Sequence, residues 1–211
     1  MLKSINKVIR VLVISDLFLN CGWGLLGPIF AIFIFQHIAT GSIAEAARIA
    51  GFASLFYWVT KSILQVPIGH YLDKNHGEKD DFWFIILGMF LVSIVPFGYL
   101  ISSLPWHIYI FQLLHATGMA MVYPPWLAIF TRHIDRGREA FEWSIESTSI
   151  GFGAGIAGAV GGVLVSFFSF KVVLILVGLF TIFSTLLLFF VRKEMFSKEY
   201  AEHKILPSKP F

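Results

Sequence analysis

Charge is scarce in this chain. Only 14% of its 211 residues are Asp, Glu, Lys or Arg, while 57% are hydrophobic. An ordinary soluble domain has about 25% charged and about 45–50% apolar residues. A compact domain of this size leaves too much surface exposed to hide that excess, so an aqueous globule is excluded and a lipid bilayer is the solvent that suits the composition. Cysteine is scarcer still. Cys21 stands alone, which excludes an internal disulfide and a cysteine metal cluster. The sequence has no glycine-rich phosphate loop ending in Lys-Ser or Lys-Thr, no Ser-His-Asp arrangement and no run with metal-ligand spacing. These absences speak against an enzyme, an ATP-driven pump, a metal or cofactor site and a nucleic-acid partner. A cleavable leader is not expected, because the apolar run after Arg10 far exceeds an h-region of about 7–15 residues.

What is present is a series of long apolar runs. They cover about residues 8–35, 49–68, 82–101, 108–130, 143–167 and 172–191. Each is near or above the ~20 residues that carry a helix across ~30 Å of hydrocarbon. They lack the alternation and length of outer-membrane strands. The expected fold is an all-α membrane protein in which residues 1–195 form six transmembrane helices and residues 196–211 a polar tail.

Thirteen of the sixteen Lys and Arg fall in the N-terminal segment, the 2–3 loop, the 4–5 loop and the tail. Arg48 and Lys171 lie on the other side, and Lys61 lies inside the second run. The positive-inside rule then puts both termini in the cytoplasm and makes the chain a multi-pass protein of the cell (inner) membrane. The bias also argues that every copy inserts the same way up.

Between the second and third runs stand Gly69, Asp73, Lys74, Gly77 and Lys79. Between the fourth and fifth stand Asp135, Arg136, Gly137, Arg138 and Glu139, followed by glycine-rich residues 151–162. Phe170 and Lys171 then open an apolar run ending at Arg192, Lys193 and Glu194. This set resembles the loop and helix signatures of the major facilitator superfamily of membrane transporters over about residues 8–195. Gly77 falls one residue later than the family spacing. Where the family's antiporter motif has Gly-Pro, this chain has Gly158-Ala159. The resemblance implies one family half, built as two inverted three-helix repeats. The family has twelve helices in two such halves, with the solute path between them.

From this follows an expected parallel homodimer that rebuilds the twelve-helix arrangement, the partner being a second copy or another half-transporter. Family contacts between halves would become helix 2 of one copy against helix 5 of the other. Gly151, Gly155, Gly158 and Gly162, spaced by four, three and four, share one helical face and would form that seam. Asp73 would lie by the N-terminus of the partner's helix 5, where the helix dipole favours an anion.

Ionisable groups at membrane depth are costly and face a partner or a cavity. Asp16, Lys61 and Glu146 are expected as a cluster near the cytoplasmic side that exchanges a proton, the alternative being a static ion pair. Two polar stripes are expected to line the path with Tyr57 on the second helix. They are Asp16, Asn20 and Trp23 on the first helix, and Gln112, His115, Met119, Tyr123 and Trp126 on the fourth. The plainer alternative for both is helix–helix hydrogen bonding with interfacial aromatics. The expected function is secondary active transport of a small organic solute by alternating access. The alternative is a degenerate half serving as a membrane scaffold or as part of a heterodimer.

Overall fold

The computed structural model describes residues 5–75 and 77–196. The first span is α1 (Lys7–Leu26), a 3-10 turn (Gly27–Ile29) and α2 (Phe30–His37). Pro28 has no N–H to give the helix, and the turn forms around it. The remaining spans are α3 (Ile43–Asn75), α4 (Glu78–Leu100), α5 (Pro105–His133), α6 (Glu139–Phe167) and α7 (Phe170–Leu188). A second 3-10 turn (Phe189–Val191) and the short α8 (Arg192–Met195) follow α7. Six of these segments are long and apolar enough to cross a membrane among the described residues, and the chain is an all-α, multi-pass integral membrane protein. The tail expected at 196–211 lies, beyond Phe196, outside the described residues.

The second helix differs most from its apolar run. It continues past Ile68 to Asn75, so Gly69, Asp73 and Lys74 are helical and Gly77 alone of the motif lies in the connection. Polar residues of the last two turns end the hydropathy signal before they end the helix. Gly77 is the extended residue that caps α4, and Asp73 is exposed. In the 4–5 connection Gly137 has φ +78°, a turn glycine suits. Arg138 pairs with Asp135 at 3.7 Å, and Arg136 is exposed.

The helix pairings show an internal symmetry. The principal neighbours are α4 with α5, α1 with α6, α3 with α5, α1 with α7 and α4 with α7. Exchanging the first three spans for the last three (α1 for α5, α3 for α6, α4 for α7) turns this set into itself. That is the mark of two repeats of one three-helix unit. The consequence is a front face ordered α3, α5, α1, α6, with α4 and α7 behind. The outer two front helices have little cover: the second and fifth spans are 11% and 17% buried, against 39–50% for the other four.

Lipid gives helices no hydrophobic reason to associate, so close backbone approach and hydrogen bonds do that work. Between α4 and α5, a Cβ on Gly88 would come within 2.5 Å of the Gly118 carbonyl oxygen. Between α1 and α6, a Cβ on Gly24 would lie 2.9 Å from Ala154 Cα, and one on Gly161 would fall onto the Leu25 backbone. Between α1 and α7 the contact is polar. Ser15 Oγ donates to the Ser184 carbonyl at 3.0 Å, and Ser184 Oγ donates to the Ser15 carbonyl at 2.7 Å. Both serines are buried. Replacing both by Ala is expected to cost on the order of 1 kcal/mol per hydrogen bond, seen as a lower unfolding midpoint of the detergent-solubilised protein. An unchanged midpoint would deny the clasp any role.

The core is split along the bundle. One cluster gathers Leu25, Ile34, Ile49, Tyr99 and Phe170; the other gathers Val8, Leu12, Phe82, Phe130 and Val191. Trp23 packs against both, at the level where the front face opens.

Candidate functional site

The side of the bundle from which α1 and α6 start and at which α3 and α5 end carries the basic loops, and is called the basic side below. Seen from it, the front face holds two groups of polar side chains at two depths.

The deeper group is an aromatic cleft of about 190 Å³. The expected path residues Trp23, Tyr57, Gln112 and His115 all line it, joined by Phe30, Trp58 and Tyr99. His115 lies flat on Trp23, with ring centres 3.8 Å apart and planes 16° apart, and 4.8 Å from the Tyr57 ring. These three rings, from α1, α3 and α5, tie the face together where direct α1–α5 packing is slight. Two buried donors here find no acceptor among the described residues: Trp23 Nε1 and the Tyr99 hydroxyl. An unmet polar atom in a dry interior is costly, so these mark a place where a polar partner belongs.

The shallower group is acidic. Asp16 stands nine residues into α1, about 14 Å along it, and Glu146 seven residues into α6, about 10 Å. Their carboxyls meet across the α1–α6 contact. Asn20 Nδ2 donates to Asp16 Oδ2 and to the Asp16 carbonyl, both at 2.9 Å. Glu146 is buried, and neither of its oxygens finds an N–H or O–H donor. Its neighbour is another carboxyl, which can donate only when it carries a proton.

Lys61 does not join this cluster. Its Nζ lies over the rings of Tyr123, Trp58 and Tyr57, at 4.7, 5.2 and 5.9 Å from their centres. The expectation of an Asp16–Lys61 pair is corrected for two reasons. α3 packs on α5 rather than on α1. It also runs 14 residues beyond Lys61 to Asn75, about 21 Å, which sets Lys61 higher in the bundle than its distance from Gly69 suggests.

The α5 stripe divides as well. Gln112, His115 and Tyr123 face the front. Met119 is half-buried against the core cluster of the basic side. Trp126 is not on the path: it is buried, stacked on Phe130 with ring centres 4.9 Å apart and beside Trp143. Pro124 and Pro125 lie inside the helix just before it.

The glycines of α6 form two interleaved sets. Gly153, Ala157 and Gly161 are buried against α1. Of the expected seam, Gly151, Gly155 and Gly162 have nothing within 4 Å of where a Cβ would be, whereas Gly158 meets Pro28 at 3.1 Å. Gly158 is therefore part of the contact within the chain and not of the open stripe.

A further charged cluster closes the basic side. Arg132 on α5 reaches Asp81 at 2.6 Å and Glu78 at 3.4 Å, and His133 Nδ1 lies 3.7 Å from Glu78. It went unread in the sequence because Arg132 counts there only as a loop charge. The acidic run Glu78, Asp80 and Asp81 is the signal that pairs with it. Trp58, Phe30 and Tyr99 were also missed, since aromatic residues in an apolar span carry no polar signal of their own.

Two inverted three-span repeats, a polar and aromatic front face and an acid pair within the spans define a helical membrane protein of the transporter class. A family model described as Major Facilitator Superfamily matches residues 12–207, and the chain belongs to that family of membrane transporters. A search of curated proteins found no match.

Proposed function

We propose that this protein is a proton-coupled secondary transporter of small organic solutes, working by alternating access as a parallel homodimer in the cell (inner) membrane with both termini cytoplasmic. The observation that carries the proposal is the front face itself. The cleft and the acid pair lie between α3 and α6, the two spans with least cover, and α6 turns an open stripe of Gly151, Gly155 and Gly162 outward. Glycine on a lipid-facing surface gains nothing, whereas it allows a second helix to approach closely. A second copy turned about an axis along the membrane normal would set its α3 against this α6 and close the path from both sides.

The proton site in this reading is the Asp16–Glu146 pair. Two carboxyls that meet within the spans can share a proton, and separating or wetting them releases it. A rocking movement that opens the α1–α6 side to one membrane face and then the other would carry that proton with the solute.

Two measurements test the proposal. Purified protein in liposomes is offered a panel of labelled organic anions, cations and neutral aromatics, with and without an inward proton gradient. Gradient-stimulated uptake of at least one solute is expected, and none across the panel would favour a scaffold. Separately, cysteines at Val59 and Phe152, on the exposed faces of α3 and α6, are introduced into a Cys21→Ser background. Oxidation is expected to give a dimer band. A partner of different mass in native membranes would point to a heterodimer.

A further inference from the structure

The unpartnered polar atoms of the cleft narrow its ligand, on the reading that the front face is a solute path. Two buried polar atoms of the cleft have no partner among the described residues, and both can donate. Trp23 Nε1–H can only donate, it is buried, and nothing in the described chain accepts from it. The Tyr99 hydroxyl is also unmet, on a side chain 1% exposed. The Trp23 N–H requires an acceptor atom on the ligand, and the Tyr99 hydroxyl can donate to one as well.

The walls set its shape. Trp23, His115 and Tyr57 present stacked or tilted ring faces on one side, and Phe30 and Trp58 line the same space. The volume of about 190 Å³ equals roughly six waters at ~30 Å³ each. It suits one or two fused rings, which stack favourably on such faces.

The charge follows from Lys61. Aromatic walls usually invite a cation, but here the chain's own ammonium already lies over Tyr57, Trp58 and Tyr123. It has no ion pair among the described residues. A second cation would meet its repulsion, and an anion would give Lys61 the counter-charge that the protein does not. The carboxyls of the front face described above are the Asp16–Glu146 pair. Asp16 lies seven residues below Trp23 on α1, about 10 Å away, and the pair is occupied with itself.

We infer that the cleft binds a planar aromatic anion of one or two rings, an aryl or heteroaryl carboxylate. Its ring lies among the aromatic faces, its carboxylate turns to Lys61, and its acceptor atoms meet the Trp23 N–H and the Tyr99 hydroxyl.

The test is equilibrium binding to the full chain in nanodiscs, using three probes of one shape: 2-naphthoate, 2-naphthamide and 2-naphthylmethylammonium. Wild type is expected to bind the carboxylate about ten-fold more tightly than the amide and on the order of a hundred-fold more tightly than the ammonium. Lys61→Met is expected to bring carboxylate and amide within about two-fold, with an unchanged unfolding midpoint as the check on folding, and Lys61→Arg to restore the preference. Trp23→Phe keeps the ring, loses the N–H, and should weaken both acceptor-bearing probes about ten-fold. Ammonium binding as tight as carboxylate, no binding of any probe, or a carboxylate preference that survives Lys61→Met would each overturn the inference. Uptake by the same protein in liposomes separates the two readings. Naphthoate that binds but is not moved leaves the site standing and removes transport. Movement of another solute without naphthoate binding does the reverse.

Discussion

Asp16→Asn is expected to abolish uphill, gradient-driven uptake while leaving the protein folded, assembled and able to bind solute. The substitution keeps shape and one acceptor oxygen, so Asn20 still has a partner for its amide. What it removes, in the proposed mechanism, is the site of an exchangeable proton. A proton moved across 100 mV supplies ~2.3 kcal/mol, which sustains roughly a fifty-fold ratio of solute across the membrane. The variant should fall from such a ratio to about unity. Solute exchange at equal concentrations, which needs no net proton movement, should continue. Glu146→Gln should do the same if the two carboxyls act as one unit, because either loss breaks the shared proton. Full gradient-driven accumulation by Asp16→Asn would remove the pair from the mechanism and leave a hydrogen bond between α1 and α6.

The sequence and the structure agree where the physics is local, and part where it depends on what packs on what. Six apolar runs are legible because the bilayer demands them one at a time. The pairing of Gln112 with His115 on one face of α5 is legible because helical spacing sets it before any neighbour is known. The Asp16–Glu146 meeting is close to legible, since both enter from the basic side to similar depth. Lys61 fails because the apolar run ends near Ile68 while the helix continues to Asn75, which sets Lys61 farther from the basic side than the run implies. Trp126 fails because spacing cannot tell a path from a core, and two prolines precede it in the helix. Tyr99 has no sequence signal at all. Its role comes from α4 lying behind α5, a pairing that only the assembled bundle creates.

The glycines of α6 show that limit most clearly, and they supply the second large effect. Spacing gives two stripes on one helix and does not say which one the chain uses for itself. The structure assigns Gly153, Ala157 and Gly161 to α1, and leaves Gly151, Gly155 and Gly162 open. The two stripes should therefore respond differently to added bulk. Gly161→Ala places a Cβ on the Leu25 backbone, where no side-chain rotation relieves it. Overpacking of this kind costs about 1–3 kcal/mol, so the variant should unfold at lower temperature in detergent, whatever its assembly. At Gly155 an added Cβ has nothing within 4 Å, so Gly155→Leu should leave that midpoint unchanged. In a dimer it would instead force α3 of the partner away, and the Val59–Phe152 crosslink and gradient-driven uptake should be lost together. If Gly155→Leu transports and crosslinks as wild type does, the open stripe faces lipid, and the partner that closes the path must approach by another surface.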